Sequence, residues 1–184
     1  WRSGLTVSWS GAEQSDMTQE VRKKYKQAFQ QMNQINDEEK AKANLEAAEN
    51  AQKFWNQANE ASSTHPYLVS KKVNAFGVKH NGQRLLIPLR DGDEKLWNLQ
   101  QIFPNGKKRF LKNGKVKGLF HIIGEQTDVI YIGEGYSTMA SVHAATRKAC
   151  VVAFNAGNLR DVCSQVRASY PDNEIVVCAD DDHL

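Results

Sequence analysis

The sequence predicts an α/β protein in which a parallel sheet with flanking helices follows a small antiparallel β-rich subdomain and an N-terminal helical segment. Three observations predict it. From Val129 onward, short apolar runs alternate with helix-length segments, the pattern of strands joined by crossover helices. Ahead of them, Asn-Gly and Asp-Gly pairs punctuate alternating runs at hairpin spacing. At the start, residues 16–61 contain no Gly or Pro and carry apolar residues at three- and four-residue steps. The expected organisation is therefore 1–61 mainly helical, 62–126 β-rich and basic, and 127–184 a C-terminally truncated α/β domain.

In the first segment, Val21, Tyr25, Ala28, Met32 and Ile35 fall on one helix face. Ala41, Leu45, Ala48, Trp55 and Ala58 repeat the pattern after Asp37, whose short carboxylate suits an N-cap. A helical hairpin and one long helix fit equally, and the apolar stripe is expected to pack against its own domain. Ser62–Tyr67 reads as a break, because Pro66 pushes the residue before it toward extended geometry. The hairpin strands expected next are Arg84–Leu89, Leu96–Phe103, Arg109–Leu111 and Leu119–Ile123, divided by turns at Asn81-Gly82, Asp91-Gly92, Asn105-Gly106 and Asn113-Gly114. Three further strands, Val129–Ile132, Cys150–Phe154 and Ile175–Ala179, enclose helices at about 137–148 and 159–170.

Composition narrows the function. The chain has 184 residues, 40% of them hydrophobic, and no apolar run approaches the roughly 20 residues that span a bilayer. A membrane protein is not expected. Cys150, Cys163 and Cys178 form no Cys-x-x-Cys pair and sit singly in apolar surroundings, which excludes a disulfide scaffold or a zinc ribbon here and fits a cytoplasmic protein. Trp1 opens a stretch with neither the basic nor the apolar region of a signal peptide, so the chain reads as excised from something longer. The net charge of +3 is unevenly spread: residues 70–118 hold twelve Lys or Arg against three acids, a net of +9, which leaves −6 for the rest. Such a block in an ordered segment suits a phosphate-backbone partner.

Two acidic groups follow strands. Glu134 comes just after the first strand of the parallel sheet, and Asp180-Asp181-Asp182 just after the third, so both belong to the carboxyl edge where such sheets gather ligands. On an extended segment Asp180 and Asp182 share a side while Asp181 turns away. Three carboxylates at one edge repel unless a cation neutralises them, and hard oxygen donors suit Mg²⁺ or Mn²⁺ and phosphoryl transfer.

The run Val129-Ile130-Tyr131-Ile132-Gly133-Glu134-Gly135-Tyr136 resembles the first motif of the Toprim fold, and Asp180-Asp181-Asp182 its Asp-x-Asp motif. Further back, residues 83–91 are similar to the stretch of Toprim primases in which a basic residue, here Arg84, precedes a Pro-containing strand. Lys108-Arg109-Phe110-Leu111 resembles their Lys-Tyr-Leu segment, and Lys117-Gly118-Leu119-Phe120 their Tyr-Gly-Leu-Tyr. His65-Pro66-Tyr67-Leu68 and residues 154–159 resemble primases of plasmids, integrated elements and phages. Thr138 stands where the replicative branch has an Asp.

The resemblance implies a fragment of a DNA primase, with template-directed synthesis of short RNA primers in the intact parent and none by this stretch alone. Glu134, Asp180 and Asp182 are the expected catalytic and metal-binding residues. Arg84, Lys107, Lys108, Arg109 and Lys117 are expected to hold nucleic-acid or nucleotide phosphates. Phe103, Phe110 and Phe120 are either base-stacking or sheet-packing side chains. The implied partners are a single-stranded DNA template, ribonucleoside triphosphates and a replicative helicase, and no membrane. A Toprim-type nuclease and a non-catalytic single-stranded nucleic-acid-binding module are the alternatives.

Overall fold

The computed structural model describes residues 18–179. Residues 1–40 and 41–184 cluster as two units. The single helix α1 (Gln19–Gln57) runs from one into the other, which settles the hairpin question in favour of one continuous helix. Asp37 lies inside it and caps nothing. In the first unit Val21, Tyr25 and Ile35 of that stripe are exposed and Met32 is half-buried. In the second the stripe packs as expected: Ala51, Trp55 and Ala58 pack with Leu86, Leu96 and Leu99 on one face of the antiparallel sheet.

That sheet has the order β1 (Asn59–Glu60), β2 (Lys79–Asn81), β3 (Arg84–Arg90), β4 (Leu96–Ile102), β5 (Lys108–Phe110), all antiparallel. Asn81-Gly82, Asp91-Gly92 and Asn105-Gly106 mark its turns as expected, whereas Asn113-Gly114 follows β5 and leads out of the sheet. Its other face, through Leu85, Ile87, Leu89 and Ile102, enters the main core. The short helix α2 (Pro66–Lys71) covers part of this face where the sequence suggested only a break. Pro66 is favourable in a first turn, and His65 keeps the extended backbone (φ −57°, ψ 131°) that a residue before proline prefers.

The second sheet has the order β6 (His121–Ile123), β8 (Ala149–Val152), β7 (Val129–Gly133), β9 (Glu174–Cys178). β7, β8 and β9 are parallel, while β6 runs antiparallel to β8. The run Leu119–Ile123 thus adds its strand to this sheet rather than to the hairpins. Alternation sends Cys150 and Val152 to the core shared with α3 (Tyr136–Thr146), and Ala149 and Val151 to a separate core with Val162 and Val166 of α4 (Ala156–Ser169). Helices on opposite faces of a parallel sheet make the doubly wound α/β arrangement. Among the described residues no helix is long and apolar enough to cross a membrane. All three cysteines are free thiols, and burial pushes Cys150 up to about 11, so it stays protonated at neutral pH.

Candidate active site and basic face

Glu134 sits between the last residue of β7 and Gly135, the N-cap of α3. Since β7 lies between β8 and β9, its carboxyl end is the centre of the ligand-gathering edge. The turn is tightly built. A Cβ on Gly133 would lie 3.0 Å from the Cys178 carbonyl oxygen and 2.6 Å from Met139 Cε, so a larger residue would have to displace the Met139 side chain and press on the β9 backbone. Tyr136, in the first turn of α3, is fully buried; its hydroxyl accepts from the Phe76 N–H (2.7 Å) and donates to the Asn74 carbonyl (3.1 Å). Burial pushes this phenol up to about 12, so it remains a donor and locks residues 74–76 against the helix. Glu134 is half-buried and has no hydrogen-bond or ion-pair partner among the described residues. A carboxylate at the N-terminal end of a helix is electrostatically favoured there.

The pairing Gly133↔Cys178 brings the end of β9 beside the end of β7. Asp180 and Asp182 follow it and lie outside the described residues. Among the described residues no group of three His, Cys, Asp or Glu could hold a metal ion, and Glu134 is the carboxylate at the end of the central parallel strand. Its chemistry fits a hard divalent cation that takes further oxygens from elsewhere.

The basic residues divide by strand alternation. Cross-strand pairs Leu86↔Gln101 and Gln101↔Arg109 put Arg84, Gln101 and Arg109 on the α1 side of the antiparallel sheet. Lys108, opposite Ile102, belongs to the other face. Arg84 donates to Gln101 Oε1 (3.1 Å), and its guanidinium lies 5.0 Å from the Phe103 ring centroid. Both line a groove of about 490 Å³ that also touches Phe54 and Leu86. Lys107, Lys108 and Arg109 are exposed. Lys117 stands apart on the parallel-sheet side, 3.7 Å from Asp161 of α4. Phe110 packs edge-on against Phe154 and Phe120 is buried, so both serve the core.

Sequence reasoning missed several residues. In the sequence Tyr136 is only the tail of the motif around Glu134. Asn158 is buried, accepts the Gly118 N–H (2.7 Å) and donates to the Leu119 and Ala153 carbonyls (2.9 and 2.8 Å). Trp97 carries Lys95 and Lys115 over its ring, at 3.9 and 5.0 Å from the centroid. No local signal announces these partners, because each comes from a distant segment or an irregular strand.

Residues 129–184 match the family model described as Toprim domain. Two curated proteins from Escherichia coli, both described as DNA primase TraC, are similar to the chain: one is 37% identical over 177 residues, covering 82% of this chain, and the other 38% identical over 125 residues, covering 64%. The chain spans 12% of the length of each of these relatives. A solved structure of bacteriophage T7 lagging-strand DNA polymerase interacting with primase domains bound to an RNA/DNA hybrid and dTTP aligns at a TM-score of 0.46 with 12% identity, covering 68% of this chain and 69% of that one. That last likeness is too slight to carry an argument. The C-terminal α/β part is Toprim-like in its parallel strands and flanking helices, and the chain is similar to DNA primases.

Proposed function

We propose that the chain is a piece of a DNA primase and that its parent makes short RNA primers on a single-stranded DNA template by Mg²⁺- or Mn²⁺-dependent nucleotidyl transfer. The observation that carries this is the placement of Glu134 at the carboxyl edge of the central parallel strand, beside the strand end that leads into Asp180 and Asp182. The primase relatives support the choice of reaction.

In this reading a ribonucleotide 3′-hydroxyl attacks the α-phosphorus of an incoming triphosphate, and the bond to the leaving pyrophosphate breaks. Glu134, Asp180 and Asp182 would hold the cation, which when bound neutralises the triphosphate and the charge growing on pyrophosphate. Gly133 and Tyr136 keep the Glu134 turn rigid, which matters because phosphoryl transfer depends on positioning. Arg84 and Arg109, with Lys107, Lys108 and Lys117, would bind template or triphosphate phosphates. A replicative helicase is the proposed partner in the cell, and the cytoplasm the proposed compartment.

The test uses the longer parent protein with a labelled template and ribonucleotides. Primers should appear with Mg²⁺ or Mn²⁺, and Glu134→Gln should lower their yield at least a hundredfold with melting temperature and template affinity nearly unchanged. Full primer synthesis by Glu134→Gln removes Glu134 from the mechanism. Loss of the labelled template without ribonucleotides would instead indicate a nuclease.

A further inference from the structure

We propose that Trp97, Lys95 and Lys115 form a subsite that stacks one base of a single-stranded nucleic acid and neutralises the phosphates flanking it. The inference rests on the nucleic-acid reading above but uses none of the residues assigned there.

The first support is the backbone. Leu89 pairs with Asn98 and Arg90 with Leu96, so Trp97 is the extra residue of a β-bulge. Its neighbours Leu96 and Leu99 pack on the α1 side of the sheet, whereas Trp97 is re-aimed to the rim of the other core, where it is half-buried. Bulges recur where a sheet directs a side chain to a special task.

The second support is how the ring is held. The indole N–H donates to Asp91 Oδ2 (2.6 Å), and Asp91 Oδ1 accepts the Asp93 and Lys95 backbone N–H groups (3.1 and 3.0 Å). A ring fixed this way loses little entropy when a flat ligand lands on it.

The third support is charge. Lys95 leaves the turn before β4, while Lys115 leaves the loop after β5 and has its backbone carbonyl tied to Asn98 Nδ2 (3.0 Å). Both ammonium groups lie over one indole, and neither is within ion-pair distance of an acid among the described residues. The Asp91 carboxylate on the indole N–H offsets one of the two charges, and an anion between the ammonium groups would offset the other. A base that displaces the ammonium groups from the ring, while its flanking phosphates take them up, supplies both the flat partner and the anions.

The test measures binding of the 184-residue chain to a labelled thymidine oligonucleotide and to an abasic strand of equal length, by fluorescence anisotropy across a salt series. The unmodified chain should prefer the base-bearing strand about tenfold or more, as expected for one stacked base. Trp97→Leu should erase that preference without weakening the abasic complex. Lys95→Ala with Lys115→Ala should reduce the slope of log affinity against log salt by about 1.4 on both strands. Should Trp97→Leu fail to fold by circular dichroism, Trp97→Phe, which keeps a ring, and the double lysine variant carry the test. An unchanged preference in the tryptophan variant, or an unchanged slope in the lysine variant, overturns the subsite while binding through Arg84 or Lys107–Arg109 persists. No binding of either strand overturns the broader nucleic-acid reading with it.

Discussion

Burial of His121 between the two sheets builds a pH dependence into the fold. Its Nε2–H donates to the Phe76 carbonyl (2.9 Å), and its ring is 5% exposed. Desolvation lowers its pKa from 6.5 to about 4, the Phe76 bond opposing and the Arg90 charge assisting. The folded protein therefore keeps this imidazole neutral down to about pH 4, whereas the unfolded chain takes up a proton below about 6.5. Between these values the unfolded state binds more protons, so stability rises with pH and is lost as pH falls from 6.5 toward 4, at up to roughly 1.4 kcal/mol per pH unit. Glutamine at this position can still donate to Phe76 and does not titrate. Urea midpoints of the native protein and His121→Gln should therefore converge as pH drops from 7 to 4.5. A constant separation over that interval would show that His121 does not titrate on unfolding. The same residue-scale logic explains the thiols: Cys150 is fully buried with its pKa pushed up to about 11, so alkylation of the native protein should spare it.

Elements are joined here by buried amides as much as by apolar contact. Asn158 reaches from the first turn of α4 to the Gly118–Leu119 turn ahead of β6 and to Ala153 at the end of β8. Asn158→Leu is close in size but strands one N–H and two carbonyls, each costing about 1–3 kcal/mol when buried without a partner. Water can recover part of that, so a loss of roughly 3 kcal/mol in urea unfolding is expected. A loss under about 0.5 kcal/mol would mean the turn re-pairs without α4. His65 does similar work for α2, accepting the Tyr67 N–H through Nδ1 (3.3 Å) and donating from Nε2 to the Gln83 carbonyl (3.2 Å). At the other end of the antiparallel sheet, α1 finishes without a basic residue in its last turn, and Lys79 supplies the cation from β2, donating to the Trp55 carbonyl (3.4 Å).

Across residues 41–184 the decisive quantity is charge: the basic residues concentrate in the antiparallel sheet and its loops, while the sequence from 119 to 184 holds nine acids against four Lys or Arg. Each phosphate contact on a single strand contributes about 0.7 to the salt slope. Replacing Lys107, Lys108 and Arg109 by alanine should therefore flatten the slope for single-stranded DNA by about two. An unchanged slope would make this block a solvated face. Local physics is enough to read much of this chain. Asn-Gly and Asp-Gly turns, alternation of period two and the switch to crossover spacing after Asp128 each follow from neighbouring residues, so the sequence by itself determined the two sheet types and the Glu134 turn. Asp180 and Asp182, expected beside that turn, lie outside the described residues. What the sequence could not determine are pairings between segments far apart in the chain. The recruitment of Leu119–Ile123 into the parallel sheet, the sorting of Arg109 from Lys108 by register, the α2 cap that reaches Gln83 and the bulge that re-aims Trp97 were decided by the tertiary structure. The reason is physical: hydrogen-bond satisfaction and burial depend on partners that only folding brings within reach.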